Sequence, residues 1–236
     1  MTAAPVRARS HPKRLSRRWA GSLLALCVLG GLAVGGYFAT RAPDYTVLHF
    51  HGESVRVPKV PSLSPLRKRI AAIAESQLGY VTDPPSTYCN KYSAYWVSGD
   101  DDCGNSNLDE EWCADFAAWV WKQAGADVTY QYINGDLNSS SASFYEWGAA
   151  KGTWHPVGSR YKPLPGDVAV YGLDKADLVA AHVAVVIGYK PGERGPIAVN
   201  GDGDLTGFSV VEVATDEVVA DTHPGSAVLS GYVSPS

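Results

Sequence analysis

The 236-residue sequence has no internal repeat, and no low-complexity tract apart from one short run of serines. Apolar residues make up 45% of the chain, and 7 Trp, 13 Tyr and 5 Phe are spread over most of its length. Neither a disordered chain nor a collagen-like chain has this composition. At roughly 100–200 residues per domain, the length allows one globular domain with appendages, or at most two small domains.

Acidic residues are missing from residues 1–41, which contain seven of the lysines and arginines. Because the whole chain has a net charge of −4, the remaining residues carry a net charge of −11. A body with this charge is repelled by the phosphate backbone of DNA or RNA. We therefore expect no nucleic-acid partner and assign the basic residues to a membrane-proximal segment.

Charged residues are also missing from residues 19–39. At about 1.5 Å per residue this apolar stretch is long enough to cross a hydrocarbon core of about 30 Å. Six cations precede it, so the positive-inside rule predicts a basic cytoplasmic N-region over residues 1–18 and export of the chain that follows. The length favours an uncleaved signal anchor, which gives a single-pass membrane protein with an extracellular C-terminal domain. A cleaved signal peptide, which gives a secreted protein, is the alternative.

Cysteine is scarce, since outside the apolar stretch the chain has only Cys89, Cys103 and Cys113. An oxidising exterior allows two of them to form a disulfide and leaves one over. Cys89 and Cys103 flank a loop rich in Tyr and Asp, whereas Cys113 lies in a helical pattern. We predict a Cys89–Cys103 disulfide and a free thiol at Cys113. No spacing of His and Cys fits a zinc site.

The order of the patterns predicts an α+β domain over residues 64–236, with N-terminal helices packed on an antiparallel β-sheet. Residues 40–63 are predicted to form a linker, although the alternation in TVLHFHGESVRV also fits a short hairpin. Capping and spacing signals predict three helices, with these bounds: Pro65 to Leu78, Asp109 to Gly125, and Ala142 to Lys151. Strand-like runs follow Trp154, namely DVAVYG, AHVAVVIGYK, PIAVN, GFSVVEV and AVLSGYV.

Cys113 falls in the first turn of the second predicted helix, where the positive end of the helix dipole favours a thiolate. With an imidazolium nearby, the pKa of such a cysteine is expected to fall to ~6 or below. His182 is the histidine that lies inside a predicted strand, on one face with Ala184 and Val186. We expect a helix packed over that face to bring the thiol and the imidazole into contact.

A cysteine–histidine pair needs a third group that accepts the other ring N–H and fixes the tautomer. The strand after His182 offers Asn200, whose amide oxygen suffices for orientation, with Asp202 as the alternative. The candidate catalytic residues are therefore Cys113, His182 and Asn200. Trp112, beside the nucleophile, is expected to line the substrate cleft.

Five motifs, taken together and in this order, resemble the CHAP domains, the cysteine, histidine-dependent amidohydrolases/peptidases of bacterial cell-wall turnover and phage lysins. The motifs are EEWCADFAAWVWKQAG, PLPGDVAVYG, AHVAVVIG, VNGDGD and SGYV. The resemblance implies a papain-like fold with Cys113 as nucleophile and His182 as base. It also implies a bacterial peptidoglycan amide hydrolase, either an N-acetylmuramoyl-L-alanine amidase or a peptidoglycan endopeptidase. The family often has Glu-Gly-Asn where this chain has Asn200-Gly201-Asp202.

Two other functions remain open at this point. An NlpC-type endopeptidase also uses cysteine and histidine, but normally a second histidine as the third group, and none lies just after His182. A catalytically inactive CHAP scaffold would instead bind peptidoglycan or a protein partner.

Some CHAP relatives bind calcium through acidic residues just upstream of the cysteine, and this chain also has acidic residues there. Six oxygen-bearing residues lie in that stretch: Asp100, Asp101, Asp102, Asn105, Asn107 and Asp109. Such ligands suit Ca²⁺, but their spacing matches no EF-hand loop. We expect a solvated acidic turn, with no metal and no cofactor.

Overall fold

The computed structural model describes residues 44–50, 52–82, 90–97, 111–132, 135–190, 195–204, 209–214 and 228–236. The helices within these ranges are α1 (Pro65–Ser76), α2 (Lys91–Val97), α3 (Cys113–Ala124) and α4 (Ala142–Ala150). The strands are β1 (Tyr45–Phe50), β2 (Glu53–Pro58), β3 (Trp154–Pro156), β4 (Val168–Tyr171), β5 (His182–Tyr189), β6 (Pro196–Asp204), β7 (Ser209–Ala214) and β8 (Leu229–Val233).

The described strands form two sheets. β1 and β2 pair as a hairpin, and the other strands form one sheet in the order β3-β8-β4-β5-β6-β7. Neighbouring strands in the described part of the chain run antiparallel throughout. The predicted α+β domain with an antiparallel sheet is therefore confirmed, and β5 lies in the interior of that sheet.

Helix α3 is the best-buried helix and packs on one face of the sheet. Its Phe116 and Val120 share a hydrophobic core with Val183 and Val185 of β5. Burial of a side chain of this size contributes ~1.5–3 kcal/mol, so the contact fixes α3 on the sheet. Gly125 ends the helix in the left-handed conformation, with a φ of +84°, which glycine adopts without a steric penalty.

A buried polar network joins α1, the turn before β4 and the end of the chain. Asp167 is fully buried and accepts hydrogen bonds from four groups. The donors are Arg67 Nη1 at 2.7 Å, the Tyr161 hydroxyl at 2.7 Å, the Leu164 N–H at 2.8 Å and Ser234 Oγ at 2.9 Å. A buried carboxylate needs such partners because burial removes its hydration. The Asp of the PLPGDVAVYG motif therefore has a structural role.

The predicted helices are present with slightly different bounds. α1 ends at Ser76 rather than Leu78, and α4 ends at Ala150 rather than Lys151. α3 begins at Cys113, and Glu111 precedes it outside the helix. The sequence patterns did not predict α2 or β3, because α2 has only seven residues in a Tyr-rich stretch and β3 has only three.

β1 and β2 lie within residues 40–63, for which we predicted a linker with a short hairpin as the alternative. The two strands pair as a hairpin and belong to the same compact unit as the rest of the domain, Pro43–Ser236. Val57 is only 4% exposed and lies close to β5, since a Cβ at Gly188 would be 2.8 Å from Val57 Cγ1. The hairpin is favoured over a solvated stalk because this packing buries apolar surface.

Several predictions concern residues outside the described part of the chain. These are the basic N-region, the apolar stretch 19–39, the cysteine pair Cys89 and Cys103, and the acidic stretch 100–109. Among the residues that the structure does describe, no helix has the length and apolar character needed to cross a bilayer. Cys113 is a free and buried thiol, as predicted.

Candidate active site

The candidate nucleophile lies where the N-terminal end of a helix meets the sheet. Cys113 is the first residue of α3 and is 3% exposed. Its Sγ lies 3.2 Å from the Oγ of Ser141, the residue just before α4. The backbone N–H of Val183, the second residue of β5, hydrogen-bonds to the same sulfur. The thiol is therefore held against the first residues of β5.

The candidate base is the first residue of β5. His182 is 1% exposed, and its Nε2 hydrogen-bonds with the Oδ1 of Asn200 on β6. Because a carboxamide oxygen only accepts, this contact places a proton on Nε2 and makes Nδ1 the basic nitrogen of the neutral ring. Val183, which donates to the thiol, directly follows His182. The described contacts thus place Cys113 beside Val183, the residue that follows His182, and place His182 beside Asn200.

A buried carboxylate lies behind the amide of Asn200. Asn200 Nδ2 donates to the Oε1 of Glu212 on β7 at 3.4 Å, which turns the amide oxygen toward His182. Glu212 is fully buried, and Gly203 leaves room for it, since a Cβ at that position would lie 2.2 Å from Oε1. Sequence reasoning missed Glu212, because it alternates with core valines in SVVEV and its face of the strand is expected to hold a solvated charge.

Helix α3 covers the opposite face of β5 from the one we expected. Val183 and Val185 belong to the core that includes α3, whereas Ala184 and Val186 pack in a second, smaller cluster. Because successive side chains of a strand point to opposite faces, His182 belongs with Ala184 and Val186, as predicted. The thiol nevertheless meets β5 from the end of α3, beside the Val183 N–H, and not through a helix lying over that face.

Burial raises the pKa of the Cys113 thiol from its ordinary value of 9.0 to about 12. The charge of Asp202 adds to the rise, the hydrogen bonds from Ser141 and Val183 oppose it, and Glu111 adds a smaller rise. The predicted pKa of ~6 is therefore corrected, because desolvation disfavours the thiolate more strongly than the helix end favours it. The raised pKa favours the protonated thiol at neutral pH.

Asp202, the alternative third group, has a different partner from the histidine. Its Oδ2 accepts a hydrogen bond from the backbone N–H of Trp112 at 3.1 Å. Its backbone φ of +65° lies in the left-handed region, which aspartate tolerates better than most residues. Trp112 itself is fully buried and stacks on Tyr92 with ring centroids 5.3 Å apart. It belongs to the core and does not line the cleft, contrary to our expectation.

Gly201 allows α3 to approach β6 between these two polar residues. A Cβ at this position would lie 2.5 Å from the Cβ and 2.6 Å from the Cγ of Phe116, which is closer than packed side chains allow. The Asn-Gly-Asp sequence therefore has one role per residue. Asn200 contacts the imidazole, Gly201 makes room for the helix, and Asp202 binds the backbone just before it.

Metal ligands do not cluster in the described ranges, where no group of three or more His, Cys, Asp or Glu side chains could hold an ion. The six oxygen-bearing residues considered for calcium lie at positions 100–109, outside the described part of the chain. The expectation of no metal cofactor stays a prediction.

Comparison with known proteins agrees with the motifs. Residues 104–200, which include Cys113, His182 and Asn200, match the family model of the CHAP domain, so the resemblance is confirmed. Two similar solved structures are those of NlpC2 and NlpC1 from Trichomonas vaginalis, each with 12% identity and a TM-score of 0.38. Each similarity covers 81% of this chain, but only 57% of NlpC2 and 54% of NlpC1. No curated protein matches the sequence.

Proposed function

We propose that this chain hydrolyses amide bonds in the peptide part of peptidoglycan through a cysteine nucleophile, since residues 104–200 match the family model of the CHAP domain. The reaction is that of an N-acetylmuramoyl-L-alanine amidase or of a peptidoglycan endopeptidase, on a papain-like fold. One observation carries the proposal. Cys113 Sγ contacts the N–H that follows His182, while His182 Nε2 contacts Asn200, which is the order of nucleophile, base and orienting group that such chemistry needs.

The raised pKa of Cys113 determines how the reaction begins. Because the resting thiol is protonated, His182 acts as a general base during the attack and is not one half of a preformed ion pair. The Sγ proton moves to Nδ1 of the imidazole as Sγ bonds to the substrate carbonyl carbon. The resulting tetrahedral intermediate carries its negative charge on the former carbonyl oxygen.

Collapse of the intermediate completes acylation. The C–N bond breaks, the leaving amine takes the proton from His182 Nδ1, and a thioester forms on Cys113. A water molecule then transfers a proton to Nδ1 and attacks the thioester carbonyl. When that second intermediate collapses, the imidazole returns the proton to the sulfur and the product acid leaves.

Two groups stabilise the charges that develop in these steps. Asn200 accepts from Nε2–H of His182 throughout, so it holds the ring in place and favours the imidazolium. The N-terminal end of α3 presents the backbone N–H of Cys113 and the positive end of the helix dipole to the developing oxyanion. A neutral amide as third group also argues against an NlpC-type site with a second histidine.

The proposal includes the location of the enzyme. Residues 19–39 would anchor the chain in a bacterial membrane, with residues 1–18 in the cytoplasm. The CHAP domain would then lie outside, where peptidoglycan is found, or the protein would be secreted if the signal is cleaved. The residues named above require no cofactor for this chemistry.

The test uses the full-length chain, purified in a mild detergent, with isolated peptidoglycan. Wild type, Cys113→Ala and His182→Gln are incubated with it, and the released fragments are identified by mass spectrometry. We expect fragments with new amine and carboxyl ends from wild type only, and their masses identify the bond that is cut. His155→Gln is the matched control, because His155 lies on β3 and its loss should leave the products unchanged. Equal product from Cys113→Ala and wild type would overturn the proposal.

The burial of Cys113 favours a second candidate, a catalytically inactive CHAP scaffold that binds peptidoglycan or a protein partner. A thiol that is 3% exposed, with its pKa raised to about 12, is a poor nucleophile unless His182 assists it. Co-sedimentation with peptidoglycan separates the two candidates. A scaffold would bind peptidoglycan and release no fragments, whereas the proposed enzyme would release them.

A further inference from the structure

Ser141 occupies a helix-capping position but does not cap the helix. It is the residue before α4, where a serine hydroxyl normally accepts from a backbone N–H of the first turn. No such hydrogen bond is present at Ser141, and its backbone has helical angles, with φ of −57° and ψ of −32°. Its Oγ lies instead 3.2 Å from Cys113 Sγ, and the residue is 7% exposed. Capping therefore does not account for this hydroxyl.

The turn that carries Ser141 is fixed by its own hydrogen bonds. Asn138 Oδ1 accepts from the N–H of Ser140 at 2.9 Å. The Oγ of Ser143 accepts from the Asn138 N–H at 3.2 Å and donates to the Asn138 carbonyl at 3.3 Å. Ser143 is fully buried, and its N–H donates to the carbonyl of Ser140 at 3.0 Å. The neighbours of Ser141 thus hold the turn, and its own side chain is directed at the sulfur.

The surroundings of the sulfur give this contact a chemical consequence. The carboxylates of Asp202 on β6 and Glu111 before α3 both oppose a negative charge on Cys113. Two described groups favour that charge through hydrogen bonds with the sulfur, namely the Val183 N–H of β5 and the Ser141 hydroxyl. Hydrogen bonds to an ionised group are roughly twice as strong as those between neutral groups, so the hydroxyl contributes most when the thiolate forms.

We infer that Ser141 is a catalytic residue of this site, and that it donates a hydrogen bond to the Cys113 thiolate as the proton leaves. In the resting state the S–H is the donor in the hydrogen bond with Ser141 Oγ. When the Sγ proton moves to Nδ1 of His182, the Ser141 hydroxyl rotates and donates its own hydrogen to the sulfur, and that hydrogen stays on Oγ. The inference rests on the proposed function for its role in hydrolysis, but its effect on the thiolate is measurable without substrate.

The experiment compares wild type, Ser141→Ala, Ser141→Thr and Ser140→Ala in the full-length chain. The rate of alkylation by iodoacetamide is measured from pH 6 to 11, with Cys113 identified by mass spectrometry, and hydrolysis of peptidoglycan is measured in parallel. Ser140→Ala is the matched control, because Ser140 is the exposed neighbour of Ser141 in the same serine run. Far-UV circular dichroism and thermal unfolding establish that each variant is folded.

We expect Ser141→Ala to lower the alkylation rate at pH 8 about tenfold and to move the profile to higher pH by about one unit. Ser140→Ala should match wild type, and Ser141→Thr, which keeps the hydroxyl, should remain within about threefold. A folded Ser141→Ala with the wild-type profile would overturn the inference. If Ser141→Ala does not fold, the test rests on Ser141→Thr. A folded Ser141→Thr whose Cys113 is alkylated tenfold more slowly than in wild type would also overturn the inference. If Ser141→Ala slows alkylation as expected but wild type hydrolyses no peptidoglycan, only the proposed function is contradicted.

Discussion

Alkaline pH should destabilise the folded protein through the thiol of Cys113. Burial raises its pKa from 9.0 to about 12, so between these values the unfolded thiol is ionised while the folded thiol keeps its proton. The folded state then binds more protons than the unfolded state, and the free energy of unfolding falls as the pH rises. The stabilisation is complete below pH 9. The loss is about 1.4 kcal/mol at pH 10, under about 0.1 kcal/mol at pH 8, and approaches about 4 kcal/mol above pH 12.

Equilibrium urea unfolding of the full-length chain and of Cys113→Ala at pH 7, 8, 9 and 10 measures this effect. Only the pH dependence of the difference is informative, because the alanine also leaves a cavity that lowers stability at every pH. Burial raises the pKa of Tyr92 and of Tyr161 as well, but both tyrosines are present in both proteins and cancel.

We expect the advantage of wild type over Cys113→Ala to fall by about 1.4 kcal/mol between pH 8 and pH 10. If the difference in free energy of unfolding between the two proteins does not vary with pH, burial does not hold the proton on the sulfur. A difference that instead falls as the pH is lowered from 7 to 5 would indicate a resting thiolate–imidazolium pair. Either result would refute general-base activation by His182 as we describe it.

Four further variants are compared with wild type by hydrolysis rate and by urea unfolding. Asn200→Ala removes the acceptor for His182 Nε2–H, and kcat/KM should fall about 10- to 100-fold, since a hydrogen bond to a charged group contributes about 1.5–3 kcal/mol. Gly201→Ala crowds α3 and should lose about 1–3 kcal/mol of stability and also activity per folded molecule. Gly231→Ala, equally crowded but on β8, should lose stability alone, and equal loss of activity in both would contradict this assignment. Asp167→Asn should lose about 3–5 kcal/mol of stability, with activity per folded molecule unchanged.

The sequence predicted those parts of the site that depend on local pattern. The apolar spacing after Cys113 and the glycine at 125 define α3, and the valine-rich runs define β4 to β8, because each pattern is set by neighbours along the chain. The pairing of His182 with Asn200 was also predictable, since consecutive strands of an antiparallel sheet usually lie side by side.

Other parts depend on residues far apart in sequence and could not be predicted in this way. The whole core decides which face of β5 packs against α3. The shared strand face of His182 and Ala184 therefore did not reveal it. The raised pKa of Cys113 has the same origin, because desolvation comes from every element packed around the thiol. Capping and spacing signals predicted the helix from Ala142 to Lys151, but only the packing of α4 near α3 directs Ser141 to the sulfur.

The departure from the family's Glu-Gly-Asn pattern also has a physical consequence. Two carboxylates lie near the neutral Asn200, which is proposed as the third group. Glu212 accepts a hydrogen bond from its amide, and Asp202 accepts one from the backbone just before α3. Glu212 orients the amide and is separated from the imidazole by it, whereas Asp202 acts on the sulfur and disfavours its ionisation. Asp202 and burial thus favour the protonated form of the Cys113 thiol. In the proposed reaction such a site forms its thiolate as the substrate is attacked, and groups that donate to the sulfur then contribute most in the transition state.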